Sequence, residues 1–387
     1  MVKYIKKNLT HSIFFTLISL IVLAIALKGW MVTWHALKIP SLLPPHFDLR
    51  FYQYPAMAIN SGKDPLFAAH EFWTTPLFLQ YGINIYFLPS FKFAYFLNLH
   101  KEIYFISFAI FIIFFYIICV SSLLKIKKNS FWILILFFSN SSMLAIERTN
   151  NDLIIFCLIY YAAVFPNFIG VSLAMLATYI EFWPIFSGIG FIKKKIKILF
   201  LICSVIFILI FYKAIFSLQM EPILAEWFSF GAKSLSVTIK RAFNLDVSYL
   251  AIVGLLIIIT FLTLIISGFK LEHKKKPDDF IERLFLIGAT LYISLFIIAS
   301  NFDYKLIFLL FCVPYLSLLK NIFVKWFILL TIIVASNYSW MYNGSLTSFG
   351  HYINIISKIL IFIILLNILI RYFINFIINS GIKKIFF

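Results

Sequence analysis

The chain has 387 residues, of which 63% are hydrophobic and 12% charged, and its mean hydropathy is +1.00. Because a soluble domain is about half apolar and about a quarter charged, this composition excludes a soluble globular protein and indicates the bilayer as solvent. The formal net charge is +18, but the basic residues form short clusters between apolar runs, which is typical of cytoplasmic loops and argues against nucleic acid as a partner.

Apolar runs long enough to cross a membrane recur along the whole chain. A spanning helix needs about 20 apolar residues. The pattern predicts an all-α fold, a polytopic transmembrane bundle of about 10–12 membrane segments, some of them short or broken. The clear candidate spans, in chain order, are 12–34, 102–124, 196–217, 249–269, 281–300, 304–319, 322–340 and 353–372.

The stretch 130–192 is apolar but contains polar and proline breaks. The pieces between the breaks are only about 10–17 residues long, which is short for a regular span. We predict short or broken helices here, which are tolerated where protein or a water-filled cavity covers the exposed backbone. The breaks lie at 147–152, 166–167 and 181–184.

The positive-inside rule orients the spans, because cytoplasmic loops carry an excess of Lys and Arg. The basic clusters and both termini then lie in the cytoplasm, and the chain forms one membrane domain over 1–387. This orientation makes 35–101 the first extracytoplasmic loop, 218–248 the second, and 373–387 a cytoplasmic tail.

Every unusual polar cluster lies on the outer face in this orientation, provided that 168–192 is a broken hairpin rather than one continuous span. Charged side chains at membrane depth are costly and usually mark function. We therefore predict one outward-facing polar site. Its segments are 48–50, 147–152, 181 and 303–305.

The first of these segments follows the first span and contains Asp48 and Arg50. The mixed aromatic and polar sequence at 51–59 predicts an amphipathic helix in the membrane interface. Two interpretations of Asp48 stay open: its carboxylate caps this helix, or it acts as a general base that takes a proton from an acceptor hydroxyl. Arg50 is a candidate phosphate ligand.

The second segment, 147–152, is either a polar turn or part of a site. In a turn, Asn151 or Asp152 would cap the next helix. In a site, Arg148 would bind a phosphate, because its guanidinium donates in a planar fork. Glu181, in apolar surroundings, needs a partner or a proton, and Arg148 is the candidate partner.

The remaining polar segments have similar alternatives. Asp303 and Lys305 could form an outer-end cap in which the Lys side chain reaches the surface, or a site for an anion. The aromatic stretch 226–231 could line a sugar or lipid site, although such residues more often form an interfacial belt.

The first-loop segment resembles glycosyltransferase family 87, which belongs to the GT-C superfamily of polyprenyl-phosphate-sugar transferases. That family carries the pattern Asp-Phe-x-x-Tyr-Tyr-x-Ala-Ala, followed by Gly-x-x-Pro-Tyr. The chain departs from the pattern at Leu66, where Tyr is common. The matching residues are Asp48, Tyr52, Ala56, Ala58, Gly62, Asp64 and Pro65.

Two later segments resemble the same family, so the resemblance extends over residues 10–320. The family's Glu-Arg-x-Asn-x-Asp-Leu segment is matched at 147–153, and its Asp-Tyr-Arg-Leu-Ile-Phe segment at 303–308, with Lys305 in place of Arg. Glu181 stands where the family usually has Lys, so the phosphate-binding role of that Lys does not carry over.

The resemblance implies a GT-C-like fold and inverting transfer of a hexose, mannose favoured, from a polyprenyl-phosphate carrier. The acceptor would be a lipid or a glycan at the outer face of a bacterial plasma membrane, with membrane lipids as further partners. Asp48 would be the catalytic base, no cofactor is expected, no metal ligand is assigned and metal dependence stays open. The candidate substrate and phosphate ligands are Arg50, Tyr52, Glu147, Arg148, Asn150, Asp152, Glu181, Asp303 and Lys305.

Two other classes of function stay open. An oligosaccharide ligase or polymerase would use a diphosphate-linked lipid and tends to need Arg and His in a large later outer loop, whereas the longest outer loop here is the first. A transporter or flippase would perform no chemistry, and secondary transporters usually show internal repeats and polar sites at the midplane.

Overall fold

A computed structural model describes residues 2–41, 44–63, 88–126, 130–192, 196–216, 229–267, 272–274, 276–298, 301–337 and 349–379. The contacts within the chain define two compact units, Met1–Glu221 and Pro222–Phe387. The predicted single membrane domain stays a prediction. The end of the first-loop motif, 64–66, and the aromatic residues 226–228 lie outside the described residues.

All regular secondary structure in the described part of the first unit is helical. A 3-10 helix, Trp183–Phe191, separates the last two α-helices of this unit. The α-helices are α1 (Val2–Lys28), α2 (Trp30–Ala36), α3 (Arg50–Asn60), α4 (Leu88–Phe96), α5 (Glu102–Leu124), α6 (Ser130–Phe137), α7 (Asn140–Arg148), α8 (Asp152–Val164), α9 (Phe168–Ile180) and α10 (Lys197–Phe216).

The first predicted span, 12–34, is wrong at its end, because α1 stops at Lys28. Gly29 follows with φ of 83°, a left-handed value that glycine adopts readily and other residues rarely do. The helix is interrupted there, and α2 begins as a separate short helix at Trp30.

The prediction of short, broken helices over 130–192 is confirmed. Helices α6 and α7 meet at an angle of 52°. Asn167 caps α9, because its side chain accepts hydrogen bonds from the backbone of Ile169 and Gly170. Helix α9 ends at Ile180, and Pro184 lies at the start of the 3-10 helix, where its missing N–H is tolerated.

Gly170 allows the close turn between α8 and α9, so Gly170→Ala is expected to destabilise the protein. A Cβ at this position would lie 1.9 Å from the carbonyl oxygen of Phe165 and 2.8 Å from that of Ala162. Because these are backbone atoms, the turn itself must shift, and we expect a loss of about 1–3 kcal/mol in the free energy of unfolding.

Gly254→Ala is the matched control for this substitution. No atom lies within 4 Å of a Cβ built at Gly254, and Ala has the higher helix propensity. Thermal unfolding of the purified variants in detergent measures the difference. If the two variants unfold at the same temperature, the expected clash of a Cβ at position 170 with the backbone of the turn is contradicted.

The second unit combines helices with a short antiparallel β-pair. Strand β1 (Ser229–Phe230) pairs with β2 (Asn301–Phe302), with Ser229 opposite Phe302 and Phe230 opposite Asn301. A 3-10 helix, Asp303–Phe311, follows β2 directly. The α-helices are α11 (Ala232–Phe243), α12 (Tyr249–Ser267), α13 (Asp279–Ile298), α14 (Val313–Leu316), α15 (Ile322–Ser336) and α16 (Phe349–Asn379).

Three predicted spans of the second unit need correction. The span at 322–340 is too long, because α15 ends at Ser336 and Asn337 follows as its C-cap. The span at 304–319 is a 3-10 helix followed by the single turn α14, which contains Pro314, a residue that cannot donate a backbone hydrogen bond. Helix α16 continues to Asn379. The predicted span therefore ends too early at 372, and the predicted tail at 373–387 begins as helix.

The chain is a multi-pass, all-α membrane protein. By length and composition, five helices of the described part can cross a membrane, or six if α6 and α7 form one span. Large apolar side chains point outward along these helices: Leu27 is 75% exposed, Phe114 60% and Ile266 85%. Lipid is the solvent that suits such surfaces. The GT-C likeness, the membrane type and the orientation of the termini stay predictions.

Candidate active site

Asp48 is held by residues about 100 positions further along the chain. Its backbone N–H donates to the Arg148 carbonyl oxygen at 3.1 Å, and the Asn150 amide donates to its Oδ2 at 2.7 Å. Its Oδ1 lies 3.6 Å from Nη1 of Arg148. The two segments therefore meet, as expected for parts of one site.

The predicted capping role of Asp48 is wrong. Helix α3 begins at Arg50, so the cap position belongs to Leu49, and no side chain caps the helix there. The Asp48 carboxylate instead contacts Asn150 and Arg148. The predicted helix at 51–59 is confirmed as α3.

The ionisation of Asp48 is governed by its burial, since the residue is only 7% exposed. Burial raises the pKa of Asp48 above the ordinary carboxyl value, and the charge of Glu181 raises it further. Arg148 and Asn150 oppose this rise by stabilising the carboxylate. A raised pKa brings the carboxyl group closer to the working pH, where a general base is most effective.

Arg148 keeps hydrogen-bond donors available for a ligand. Its Nε donates to Glu147 at 2.9 Å, and its Nη2 donates to the Pro40 carbonyl oxygen at 3.3 Å. Within the described residues, Nη1 makes no shorter contact than the 3.6 Å ion pair with Asp48. A guanidinium has five N–H donors, so this arrangement leaves several of them for an anion.

Glu147 fixes the orientation of this guanidinium. Its side chain is fully buried and accepts hydrogen bonds from Ser41 Oγ at 2.9 Å and Trp30 Nε1 at 3.4 Å as well as from Arg148. A buried carboxylate with these three donors is held by the protein rather than presented to a ligand. The geometry therefore supports a positioning role for Glu147.

Asn150 links Asp48 to the start of α8. Its Nδ2 donates to Asp48, and its Oδ1 accepts from the backbone N–H of Asp152 at 2.8 Å. The predicted cap by Asn151 or Asp152 is therefore wrong, because Asn150 supplies the side-chain oxygen. Asp152 itself is fully buried in the first turn of α8.

Glu181 has different partners from the one predicted. It accepts a hydrogen bond from Asn151 Nδ2 at 2.6 Å and another from Trp183 Nε1. Asn151 also donates to the Tyr52 hydroxyl at 3.1 Å. The predicted pair between Glu181 and Arg148 is wrong. Asn151 connects Tyr52 to Glu181 and was missing from the predicted site, although it lies inside the polar segment.

Arg50 makes a structural contact. Its guanidinium donates to Glu102 Oε1 at 2.9 Å and Oε2 at 3.3 Å, and to Gln53 at 2.7 Å. It also lies 4.7 Å from the centre of the Phe105 ring. These contacts tie the start of α3 to the start of α5, so the predicted role of Arg50 as a phosphate ligand has less support than that of Arg148.

A second polar group lies in the second unit. The Asp303 carboxylate pairs with Lys358 Nζ at 2.7 Å, and the two side chains are 0% and 4% exposed. Lys358 Nζ also donates to the Ser229 carbonyl oxygen at 3.2 Å, and Tyr292 donates to the Lys358 carbonyl oxygen at 2.7 Å. These bonds join α16, α13 and β1 to the start of the 3-10 helix.

Lys358 was missing from the predicted site, although a charge inside an apolar span signals function or a buried partner. Lys305, which was predicted, is 9% exposed in the 3-10 helix Asp303–Phe311. A 3-10 helix has three residues per turn, so Lys305 lies on a different side of it from Asp303. The predicted meeting of Lys305 with Asp48 and Arg148 stays a prediction.

Among the described residues, no three His, Cys, Asp or Glu side chains are arranged to hold a metal ion. The fold and this geometry define the chain as a multi-pass, all-α membrane protein that contains a buried carboxylate–guanidinium site. Comparison with known protein families, curated proteins and solved structures finds no match. The resemblance to glycosyltransferase family 87 therefore depends on the sequence motifs alone.

Proposed function

We propose that the chain is an integral membrane glycosyltransferase. It transfers a hexose, with mannose favoured, from a polyprenyl-phosphate carrier to a lipid or glycan acceptor at the outer face of a bacterial plasma membrane. The observation that carries this proposal is the buried Asp48 carboxylate beside Arg148, a guanidinium with available donors. A base for the acceptor and a cation for the leaving phosphate are the two groups that such a transfer needs.

The proposed reaction is a single displacement at the anomeric carbon. The acceptor hydroxyl attacks this carbon from the face opposite the phosphate, and Asp48 takes its proton. The new glycosidic bond forms as the bond between the anomeric carbon and the phosphate oxygen breaks. The electron pair of the broken bond leaves with the polyprenyl phosphate, so the configuration inverts.

Arg148 acts on the leaving group in this proposal. Its Nη1 carries donors that the described residues do not use in short hydrogen bonds, and Glu147 fixes the plane of the guanidinium through Nε. Donors that are held in place before the reaction stabilise the developing phosphate charge without reorganisation. Lys305 is proposed as a second cation for the same phosphate.

The other predicted residues have supporting roles. Asn150 holds Asp48, and Glu147 holds Arg148. Tyr52 and Glu181, which Asn151 connects, are proposed as hydrogen-bond partners for the hydroxyls of the sugar. Asp152 and Asp303 are buried, which favours structural roles for both.

The test is donor consumption by the purified protein in proteoliposomes. A polyprenyl-monophosphate hexose and a polyprenyl-diphosphate oligosaccharide, each labelled in the sugar, are supplied with a lipid and glycan extract as the acceptor pool. We expect the label to leave only the monophosphate carrier, with release of polyprenyl phosphate and inversion at the anomeric carbon.

Each other outcome identifies a rival function. Consumption of the diphosphate donor alone would make the chain an oligosaccharide ligase or polymerase. Movement of an intact labelled lipid across the bilayer, without covalent change, would make it a transporter or flippase. Either result would overturn the proposed transfer.

A further inference from the structure

Two residues with left-handed backbone conformations lie beside Asp48 and Arg148. His46 has φ of 61°, and Thr149 has φ of 45°. Residues other than glycine rarely adopt positive φ, and a β-branched residue such as Thr is a clear outlier there. Such a conformation persists only where the surrounding structure enforces it, and it is concentrated at functional sites.

The two strained residues are bonded to each other. His46 Nδ1 lies 2.7 Å from Thr149 Oγ1. The Thr149 hydroxyl donates its proton to the Ile146 carbonyl oxygen at 3.2 Å, so it must accept from His46. The imidazole is therefore protonated on Nδ1, the tautomer that this donation requires.

The surroundings keep this imidazole neutral and fixed. Burial and the charge of Arg50 lower the pKa of His46 to about 4, so the ring carries no charge at neutral pH. The Trp30 ring packs edge-on against it, with 4.8 Å between the ring centres. Thr149 is fully buried.

The bond joins the two segments that carry the proposed base and the proposed phosphate ligand. His46 lies two residues before Asp48, and Thr149 directly follows Arg148. The backbone bond from Asp48 to Arg148 and the side-chain bond from Asn150 to Asp48 connect the same two segments. The bond between His46 and Thr149 is the third hydrogen bond between these two segments.

We propose that His46 is a positioning residue, which with Thr149 sets the placement of the Asp48 carboxylate relative to the Arg148 guanidinium. This inference rests on the proposed glycosyl transfer and assigns neither His46 nor Thr149 a contact with substrate. The backbone strain at both positions is offset by the hydrogen bond that locks the two segments together.

Substitutions at His46 separate the hydrogen bond from the backbone strain. His46→Gly removes the imidazole but accepts the left-handed conformation. His46→Asn is the matched variant, because Asn tolerates this conformation and carries an amide N–H close to the position of Nδ1. We expect His46→Gly to lower kcat about 10- to 100-fold and the donor KM to change less than about threefold, with His46→Asn near wild type.

Substitutions at Thr149 test the other partner and remain informative if a His46 variant folds poorly. Thr149→Val removes the hydroxyl at nearly constant shape, and Thr149→Ser retains it. We expect Thr149→Val to lower kcat and Thr149→Ser to change it little. The double variant His46→Gly/Thr149→Val should lose no more than the worse single variant, because both remove the same bond.

Rates are measured in proteoliposomes with polyprenyl-monophosphate hexose, well below the unfolding temperature of each variant. Three results would overturn the inference. The first is a wild-type kcat in both His46→Gly and Thr149→Val, and the second is a double variant in which the two losses of kcat multiply. The third is an equal loss of kcat in His46→Asn and His46→Gly. A wild-type protein that transfers no sugar would overturn the proposed function and, with it, the inference. Transfer by the wild type with no effect in the variants would overturn the inference alone.

Discussion

Replacing Asp48 by Asn is expected to reduce sugar transfer about 10²- to 10⁴-fold. Asn has nearly the size of Asp and can still accept the hydrogen bond from Asn150, which donates at 2.7 Å in the native site. It cannot take a proton from the acceptor hydroxyl. The measurement is the initial rate of label transfer from polyprenyl-monophosphate hexose in proteoliposomes.

Asp246→Asn is the control for the change from carboxylate to amide. The Asp246 side chain is 81% exposed, and it pairs with Lys240 at the surface of the second unit. We expect this variant to retain full activity. Full activity in Asp48→Asn would remove Asp48 as the base, even if the chain proves to be a transferase.

The pH dependence of the wild type tests the same assignment. A general base is inactive when protonated, so the rate should fall as the pH decreases through the pKa of Asp48. Burial raises that pKa, so the fall should occur at higher pH than for an ordinary carboxyl group. The residual activity of Asp48→Asn should not show this fall in rate at low pH. If the fall is unchanged in the variant, a group other than Asp48 causes it.

The amino-acid sequence predicts the positions of many helices well, because apolar runs and breaking residues act locally. Pro184 and the polar segment at 147–152 interrupt helices where expected, and the amphipathic pattern at 51–59 corresponds to α3. Gly29 was missed as a break, since the run around it is apolar on both sides. Only its positive φ of 83° reveals the interruption between α1 and α2.

The sequence also predicts that Asp48 and Arg148 belong to one polar site, because the positive-inside rule places both of their segments on the outer face. It does not predict which side chains pair. Arg148 was assigned to Glu181, yet it pairs with its neighbour Glu147 and with Asp48. The pairing depends on side-chain directions that the turn at Thr149 sets, and sequence spacing does not specify these.

The second polar group illustrates the same limit. Asp303 was found because it follows a predicted span, whereas Lys358 lies within one. A lysine near a span end can extend its side chain to the surface. Lys358 instead remains inside the protein and pairs with Asp303, and only the packing of α16 reveals this.

Breaking the Asp303–Lys358 pair is expected to destabilise the protein strongly. Lys358→Met leaves the Asp303 carboxylate buried without its cation, and Asp303→Leu leaves the Lys358 ammonium without its anion. Removing one member of a buried ion pair costs about 3–5 kcal/mol in the free energy of unfolding. Thermal unfolding in detergent should show a much lower unfolding temperature for each single variant than for the wild type.

The double variant Asp303→Leu/Lys358→Met should recover most of this loss, because apolar residues of similar volume often replace a buried ion pair at little cost. The recovery should be incomplete, since the Ser229 carbonyl oxygen loses the hydrogen bond that Lys358 donates. Lys320→Met is the control. Lys320 pairs with Glu272 at 2.7 Å with both side chains more than half exposed. Water and salt screen such a pair, so this variant should unfold at nearly the wild-type temperature.

These variants distinguish two views of a charge pair inside a membrane protein. If the double variant is as unstable as the single variants, the pair itself stabilises the second unit, and its net contribution exceeds the cost of removing both charges from water. If the double variant recovers, as we expect, the pair contributes little net stability. Its value then lies in fixing the start of the 3-10 helix, which carries Lys305, against β1 and α16.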